Sequence, residues 1–474
     1  MALITVVGAS GNSVQVTVDG ADKSALVKQA NKLASQLGNE LSSLDARNLA
    51  AGSSTFSGNQ AGYGVITASG AYNVSGNVEW LTVGSDASNQ PGTALAGWVN
   101  LDATKATASN LNVLAGTNAG VNFRAGSQSG TFLGGSGDNF FQGSNLNNAG
   151  DWNISVGDGN NVINSGNGNN TITSGLGDNT ITLGNGFNQV HSNGQDTITA
   201  STGTQNITLT GASSTVDVGS NSLVVDTASN QQITVGGSST VVGGSQDLVT
   251  LAGTTGTVTG GELSTISAAQ GDFMVANAKN ADVSILGNLT FKNGTGETTI
   301  TAGQSTIYGA EGLDAHVNAT SANSLFIATT GNQTLDGASS IYGIHAFGAD
   351  SGTTAQTFIG GSGASAADTL VAGTGNATLT GGSGAANVFG FRNGVAGADY
   401  TITDFGSAAG NSVLLVHYDS AYLKNGQGYT KDNFQQVLDA ATHQNGNTTI
   451  TLSDNSKITF VGVDSLNINQ FSGF

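Results

Sequence analysis

The apolar positions fall into three regimes. From Leu3 to Val18 they alternate on either side of Gly11-Asn12, the period-two pattern of a β-hairpin. Leu26, Val27, Ala30, Leu33, Ala34 and Leu37 then recur at helical spacing, after Asp22 as the expected N-cap and before a Gly38-Asn39 stop. Leu41, Leu44 and Leu49 predict a second short helix. From about residue 106 helical spacing disappears, and lone β-branched residues recur between turns rich in Gly and Asn. The pattern is sharpest from Val156 to Thr199, where nine residues repeat as VGDGNNVIN, SGNGNNTIT, SGLGDNTIT and LGNGFNQVH, then slip to SNGQDTIT. Gly holds the second and fourth places, Asn161, Asn170, Asn179 and Asn188 the sixth, and Ile163, Ile172, Ile181 and Val190 the eighth. The glycines read as turn residues that enter positive φ freely, and each x-Ile-x as a short strand with one inward side chain. Turn, strand, turn, strand predicts a parallel β-solenoid.

The repeat decays after residue 199 but leaves traces in TGTQNITLTG (202–211), GTGETTITAG (294–303) and GTGNATLTGGSGAANVFGF (373–391). At about 18 residues and about 4.8 Å per coil, residues 106–395 predict about 16 coils and a rod of about 75 Å, with Phe140, Phe141, Phe389 and Phe391 near its ends. Residues 396–474 change character. Thr430 reads as the cap of a helix through Phe434, Val437, Leu438 and Ala441 that stops at Asn445-Gly446, and Thr448 to Leu452 with Lys457 to Val461 read as a hairpin around Asp454-Asn455. The expected fold is therefore all-β. A solenoid spans 106–395, a small α+β cap or docking region 1–105, and a β-rich cap 396–474. Since exposed solenoid ends are unpaired strand edges, residues 1–105 are expected to cover one, or else to form a binding module around Trp80 and Trp98.

Composition narrows the partners. The chain of 474 residues has 72 glycines, one proline (Pro91), no cysteine and a formal net charge of −19 from only 9% charged residues. Between Arg124 and Arg392 the only basic residues are Lys279 and Lys292. Phosphate neutralisation needs clustered Lys or Arg, so nucleic acid and a polybasic membrane contact are excluded. Thiolate metal sites, disulfides and thiol catalysis are excluded too. MALITVVGAS lacks the features of a secretory leader, and no apolar run spans a membrane.

The nonapeptides resemble the RTX (haemolysin-type calcium-binding) repeat, G-G-x-G-x-D-x-U-x, whose opening is matched at Gly134-Gly135-Ser136-Gly137 and Gly381-Gly382-Ser383-Gly384. Gly397-Ala398-Asp399 with Thr401-Ile402-Thr403-Asp404-Phe405 resembles the G-x-D-x-I-x-D-F element that follows the last repeat in that family. The hairpin at 447–463 and the final Phe-containing segment resemble its uncleaved export signal. The resemblance implies passage through type I secretion machinery to the cell surface or beyond, without amino-terminal cleavage. One departure matters. The family's sixth-position Asp supplies calcium with carboxylate oxygens, whereas Asn stands there in four successive units. Stacked amides favour a structural ladder of Asn161, Asn170, Asn179 and Asn188 over a calcium array. Residual calcium ligands are expected at Asp368, Asp399 and Asp404, with Asp138, Asp158 and Asp178 as further ligands or as plain turn residues.

Catalytic chemistry has little to stand on. The five histidines (His191, His316, His345, His417, His443) accompany no motif, and no HExxH, GxSxG or P-loop pattern occurs. Thr-x-Thr pairs recur, as in an ice-binding face, but if two units make a coil the rows in 156–199 are broken by Val162/Asn164 and Gln189/His191. The expectation is a non-enzymatic extracellular protein that associates with itself, end to end, into a fibre, matrix or surface layer. An adhesin or ice-binding protein is the alternative, followed by a polysaccharide-acting enzyme.

Overall fold

The computed structural model describes all residues except 1, 10, 19–23, 88–91, 351–353, 394–396, 420–427 and 474. Strand accounts for 52% and helix for 7%, and the chain winds as a parallel β-solenoid of about 19 turns. It divides into two compact units, Met1–Gly244 and Ser245–Phe474. In the first, strands pair in parallel with the second strand onward in sequence, so two strands make one coil and adjacent repeats lie on opposite faces. Val162–Asn164 pairs with Thr180–Thr182, and Thr171 with Gln189. The period is 18 residues at Thr171/Gln189 and 17 at Ile181/Ile198. In the second unit it widens to 23 at Thr378/Thr401.

Inward positions carry the core. Ile163, Ile172, Ile181, Ile198 and Ile207 are fully buried, each stacked on the same kind of residue one coil away. The eighth position thereby removes a β-branched side chain from water once per strand, about 2 kcal/mol each before entropy is counted. Phe123, Phe132, Phe141 and Trp152 form a cluster with ring centroids 5.2–5.6 Å apart. Phe389 and Phe391 are buried in the second unit, while Phe140 points outward and is half-buried.

Glycine serves the repeat differently from the reading of its sequence. Gly166, Gly168 and Gly186 have positive φ, but Gly159, Gly175, Gly177 and Gly184 do not. They are glycine because turn stacks on turn: a Cβ on Gly175 would lie 2.3 Å from the Gly157 carbonyl oxygen, and one on Gly177 2.4 Å from that of Gly159. Past the clean repeat, a left-handed corner recurs without glycine. Ser213 and Asn230 hold it in the first unit, and Gln246, Leu263 and Asn280, 17 residues apart, in the second.

The two flanking regions depart from expectation. Ala2–Val7 and Ser13–Val18 form the predicted hairpin, joined by Ser85–Asp86. Helix α1 (Ala25–Glu40) is capped by the Ser24 side chain and runs through Gly38-Asn39, while Asp22, like Pro91 and Phe474, lies outside the described residues. The second helix is a single 3-10 turn, Leu41–Ser43, and Leu49 follows a strand. Parallel coiling starts at Asp45–Asn48, long before residue 106, and Tyr63, Val65, Trp80, Leu114 and Leu133 turn an apolar flank outward for α1 and the hairpin to cover, so the early coils lack the polar alternation of the later ones. Trp80 belongs to that buried flank, its Nε1 donating to Glu40 Oε2 at 2.8 Å. The first coil is closed instead by Phe56, whose ring fills the space over Gly62, with the Arg47 guanidinium 4.9 Å above it and ion-paired to Asp45.

Coiling also continues past 396. Asp399–Ile402 and Ser412–Val416 extend the two faces, and Lys457–Phe460 stacks in parallel on the former. Helix α2 (Lys431–Asp439) has the Thr430 cap. It stops before Asn445-Gly446, which forms the two-residue loop of another hairpin, Thr442–Gln444 with Asn447–Thr451, because both residues take positive φ. The predicted hairpin of Asn447–Thr451 with Lys457–Phe460 is present.

One corner is testable. Leu263 takes φ 56° with its side chain 56% exposed, a conformation that costs a non-glycine residue about 1–2 kcal/mol and Asn less. Leu263→Asn is expected to stabilise the protein by about 0.5–1 kcal/mol, read as a rise in thermal midpoint.

Candidate functional site

The sixth-position residues form two columns, one on each side of the first unit. In one column Asn139 N and Nδ2 donate to Asn161 Oδ1 at 2.8 and 2.9 Å. Asn161 does the same to Asn179 at 3.1 and 2.8 Å, and Asn179 to Asp196 Oδ1 at 3.1 and 2.7 Å. In the other, Asn170 N and Nδ2 donate to Asn188 Oδ1, and Asn188 Nδ2 to Gln205 Oε1. All of these side chains are at most 2% exposed. Each amide also donates inside its own turn: Asn161 Nδ2 reaches the carbonyls of Gly157 and Gly159 at 3.1 and 2.6 Å, and Asn179 Nδ2 those of Gly175 and Gly177.

This geometry explains the amide. The position must offer N–H groups to the turn carbonyls beneath it and an oxygen to the coil before it, and the amide of Asn or Gln does both with two N–H donors, where a Ser hydroxyl such as that of Ser214 has one. A carboxylate there would face those carbonyls with no donor and would need a cation between them. In the repeat, the amide nitrogen occupies that role. The one sixth-position carboxylate, Asp196, confirms the logic from the other side. Its Oδ1 takes both Asn179 donors, and its Oδ2 takes Ser174 Oγ at 2.5 Å and Ser192 Oγ at 2.7 Å, so four protein donors saturate it.

Asn139 and Asp196 were not among the predicted ladder residues. The aligned unit GGSGDNFFQ signals Asn139, and the slipped SNGQDTIT signals Asp196. Asp138 and Asp158, one and three places earlier in their units, accept the N–H groups of Asn160 at 2.7 Å and Leu176 at 2.9 Å from the following coil. Asp178 donates its own N–H to Asn160 Oδ1. These three sit on the turn surface as rungs between coils.

A third column runs through the second unit and contains the other candidates. Ile344 N and Gly361 N donate to Asp368 Oδ1 at 2.6 and 3.1 Å, Asp368 N to Asn387 Oδ1, and Asn387 N to Asn411 Oδ1. Asp368 is 1% exposed and its Oδ2 has no hydrogen-bond partner. Burial pushes its carboxyl up to about 7, and the nearby Asp404 adds to the rise against the two backbone donors. Asp404 accepts from Gly381 N at 2.9 Å and Gly382 N at 2.7 Å. Asp399 is exposed and donates its N–H to Asn376 Oδ1. Asp368 Oδ2 is thus the candidate oxygen with capacity for a cation, with Asp404 as the second charge. Among the described residues no three acidic or histidine side chains are grouped to hold a metal.

No family model, curated protein or solved structure matches the chain. Among the described residues no helix is long and apolar enough to cross a membrane.

Two outcomes are expected. Asn179→Asp places a carboxylate against Asp196 and the Gly175 and Gly177 carbonyls, and should cost about 3 kcal/mol in chelator, with part of the loss restored by millimolar calcium in thermal melts. Asp368 has a folded pKa above its unfolded value, so its contribution to stability is greatest below pH 4 and falls as pH rises towards 7. Melting of the wild type in chelator should decline across that window by up to a few kcal/mol relative to Asp368→Asn, which removes the slope.

Proposed function

We propose that this chain is an extracellular structural protein, non-enzymatic, exported by type I secretion and self-assembling into a fibre, matrix or surface layer. The observation that carries the reading is the commitment of the repeat's polar side chains to each other. Side chains that are buried and satisfied in coil-to-coil columns hold architecture. The RTX resemblance supports the export route, in which the 396–474 region has the double role of signal and last coils. Of the expected calcium ligands, Asp368 and Asp404 are the pair the reading keeps, supported by the unpartnered oxygen of Asp368.

Assembly end to end has an identifiable control. Asp45–Asn48 and Gly52–Phe56 each pair on one side only, with the next coil, and Asp45 with Arg47 lies across that end. Inward-pointing charge at a sheet edge opposes strand addition. Removing it is expected to speed assembly.

A second reading, a face that binds an ordered ligand such as ice, is favoured by one feature of the second unit. Thr334, Thr357, Thr378, Thr401, Thr459 and Thr449 occupy partner positions on six successive strands without a break. Electron microscopy across protein concentration, with and without calcium, tests both. Ordered fibres or sheets, forming faster in Arg47→Ala, are expected. Strict monomers under every condition would sink the structural reading, and ice recrystallisation inhibition by those monomers would establish the second.

A further inference from the structure

We infer that the outward face of the strands Val99–Ala106, Val121–Ala125, Phe140–Gln142 and Val162–Asn164 binds a linear, neutral polysaccharide laid across the strands. This activity lies beyond self-assembly and does not depend on it.

The face has two columns of different character. One runs Asn73, Asp102, Arg124, Gln142, Asn164 in register from coil to coil; the other runs Asn100, Asn122, Phe140, Val162. The first is wholly polar. The second turns from amides to the half-buried ring of Phe140 and to Val162, which is 37% exposed. A pyranose chain has the matching anatomy, hydroxyl-bearing edges beside apolar C–H faces, and a sugar repeat close to the strand spacing of about 4.8 Å. Each coil thus meets about one sugar of the polymer.

The face is also shaped. The pairing of Gly70–Gly76 with Val99–Ala106 slips between Asn73/Asp102 and Ser75/Lys105, a bulge that bends the second strand. A pocket of about 240 Å³ opens there, lined by Tyr72, Asn73, Asn100, Asp102, Asn122 and Arg124. Its side chains are set rather than loose. Asp102 Oδ1 accepts Thr104 N at 2.9 Å and Thr104 Oγ1 at 2.6 Å, leaving Oδ2 for a sugar hydroxyl. Asn122 Nδ2 donates to Asn100 Oδ1 at 3.2 Å, and Asn122 Oδ1 lies on the floor without a donor. Arg124 forms no ion pair among the described residues, in contrast to Arg47, Lys279 and Arg392. A carboxylate and a guanidinium on partner positions give acceptor and fork donors to one vicinal diol. The net charge of −19 repels polyanions, which favours an uncharged chain over an acidic one.

Affinity electrophoresis of the full chain in gels cast with hydroxyethylcellulose, an extended chain of regular sugar repeat, tests this against gels of dextran, whose flexible (1→6) linkages hold no regular repeat to match the coils. Wild type should be retarded by the first and not the second. Arg124→Ala and Asn100→Ala should each weaken retardation about tenfold, the loss of one or two hydrogen-bonded contacts, with melting unchanged. Asn445→Ala, on a hairpin loop of the second unit, should bind as wild type does. Absence of retardation in wild type, equal retardation by dextran, or unaltered binding by Arg124→Ala would each overturn the proposal, whatever the outcome of the assembly experiments.

Discussion

The repeat from Asn139 to Gln205 depends on one hydrogen bond made twice per coil, from a buried side-chain amide to the side chain in the same place one coil on. A solenoid this thin has few inward side chains in each turn, and its Gly-rich corners leave many carbonyls out of the strand ladder. Unpaired, each of those would cost about 1–3 kcal/mol. The Asn nitrogen meets two of them in its own turn while its oxygen receives the neighbouring coil. The corner can therefore be nearly all backbone, and so can stack closely enough to exclude any Cβ. Amide and glycine are two parts of a single solution.

The same reasoning orders the roles of acidic residues. Asp196 is held by four donors and behaves as the acceptor at which one column changes hands to Ser214. Asp138 and Asp158 cap backbone N–H groups at the surface. Asp368 differs because its second oxygen was left without a donor in a buried place, next to Asp404. Chemical type alone does not separate these carboxylates. What separates them is the count of donors that the local turn supplies.

Much of this was legible in the sequence. The spacing of Ile163, Ile172 and Ile181 specified a strand per nine residues and hence two faces, and the Asn at each sixth position specified a ladder. The boundaries were not legible. Residues 45–106 coil like the rest, but their outward faces carry Tyr63, Val65 and Trp80 because α1 and the hairpin cover them, which erases the polar alternation that marks a solenoid strand. Asn445-Gly446 read as a helix stop, and only the pairing of Thr442–Gln444 with Asn447–Thr451 makes it a hairpin loop. The pocket beside Arg124 depends on a bulge that no periodicity reports, and the unbroken threonine row depends on coil periods that vary too much to align by eye.

The alternation of units between two faces has a consequence for how such a chain can change length. Inserting one nonapeptide ahead of them would carry every later strand to the opposite face, setting Gln189 and His191 where Thr197 and Thr199 now lie and exchanging the two amide columns' neighbours. Inserting two restores every register. The heritable quantum of this architecture is therefore the full coil of about 18 residues, and duplication or loss in that step alone lengthens or shortens the molecule without rewriting its surfaces.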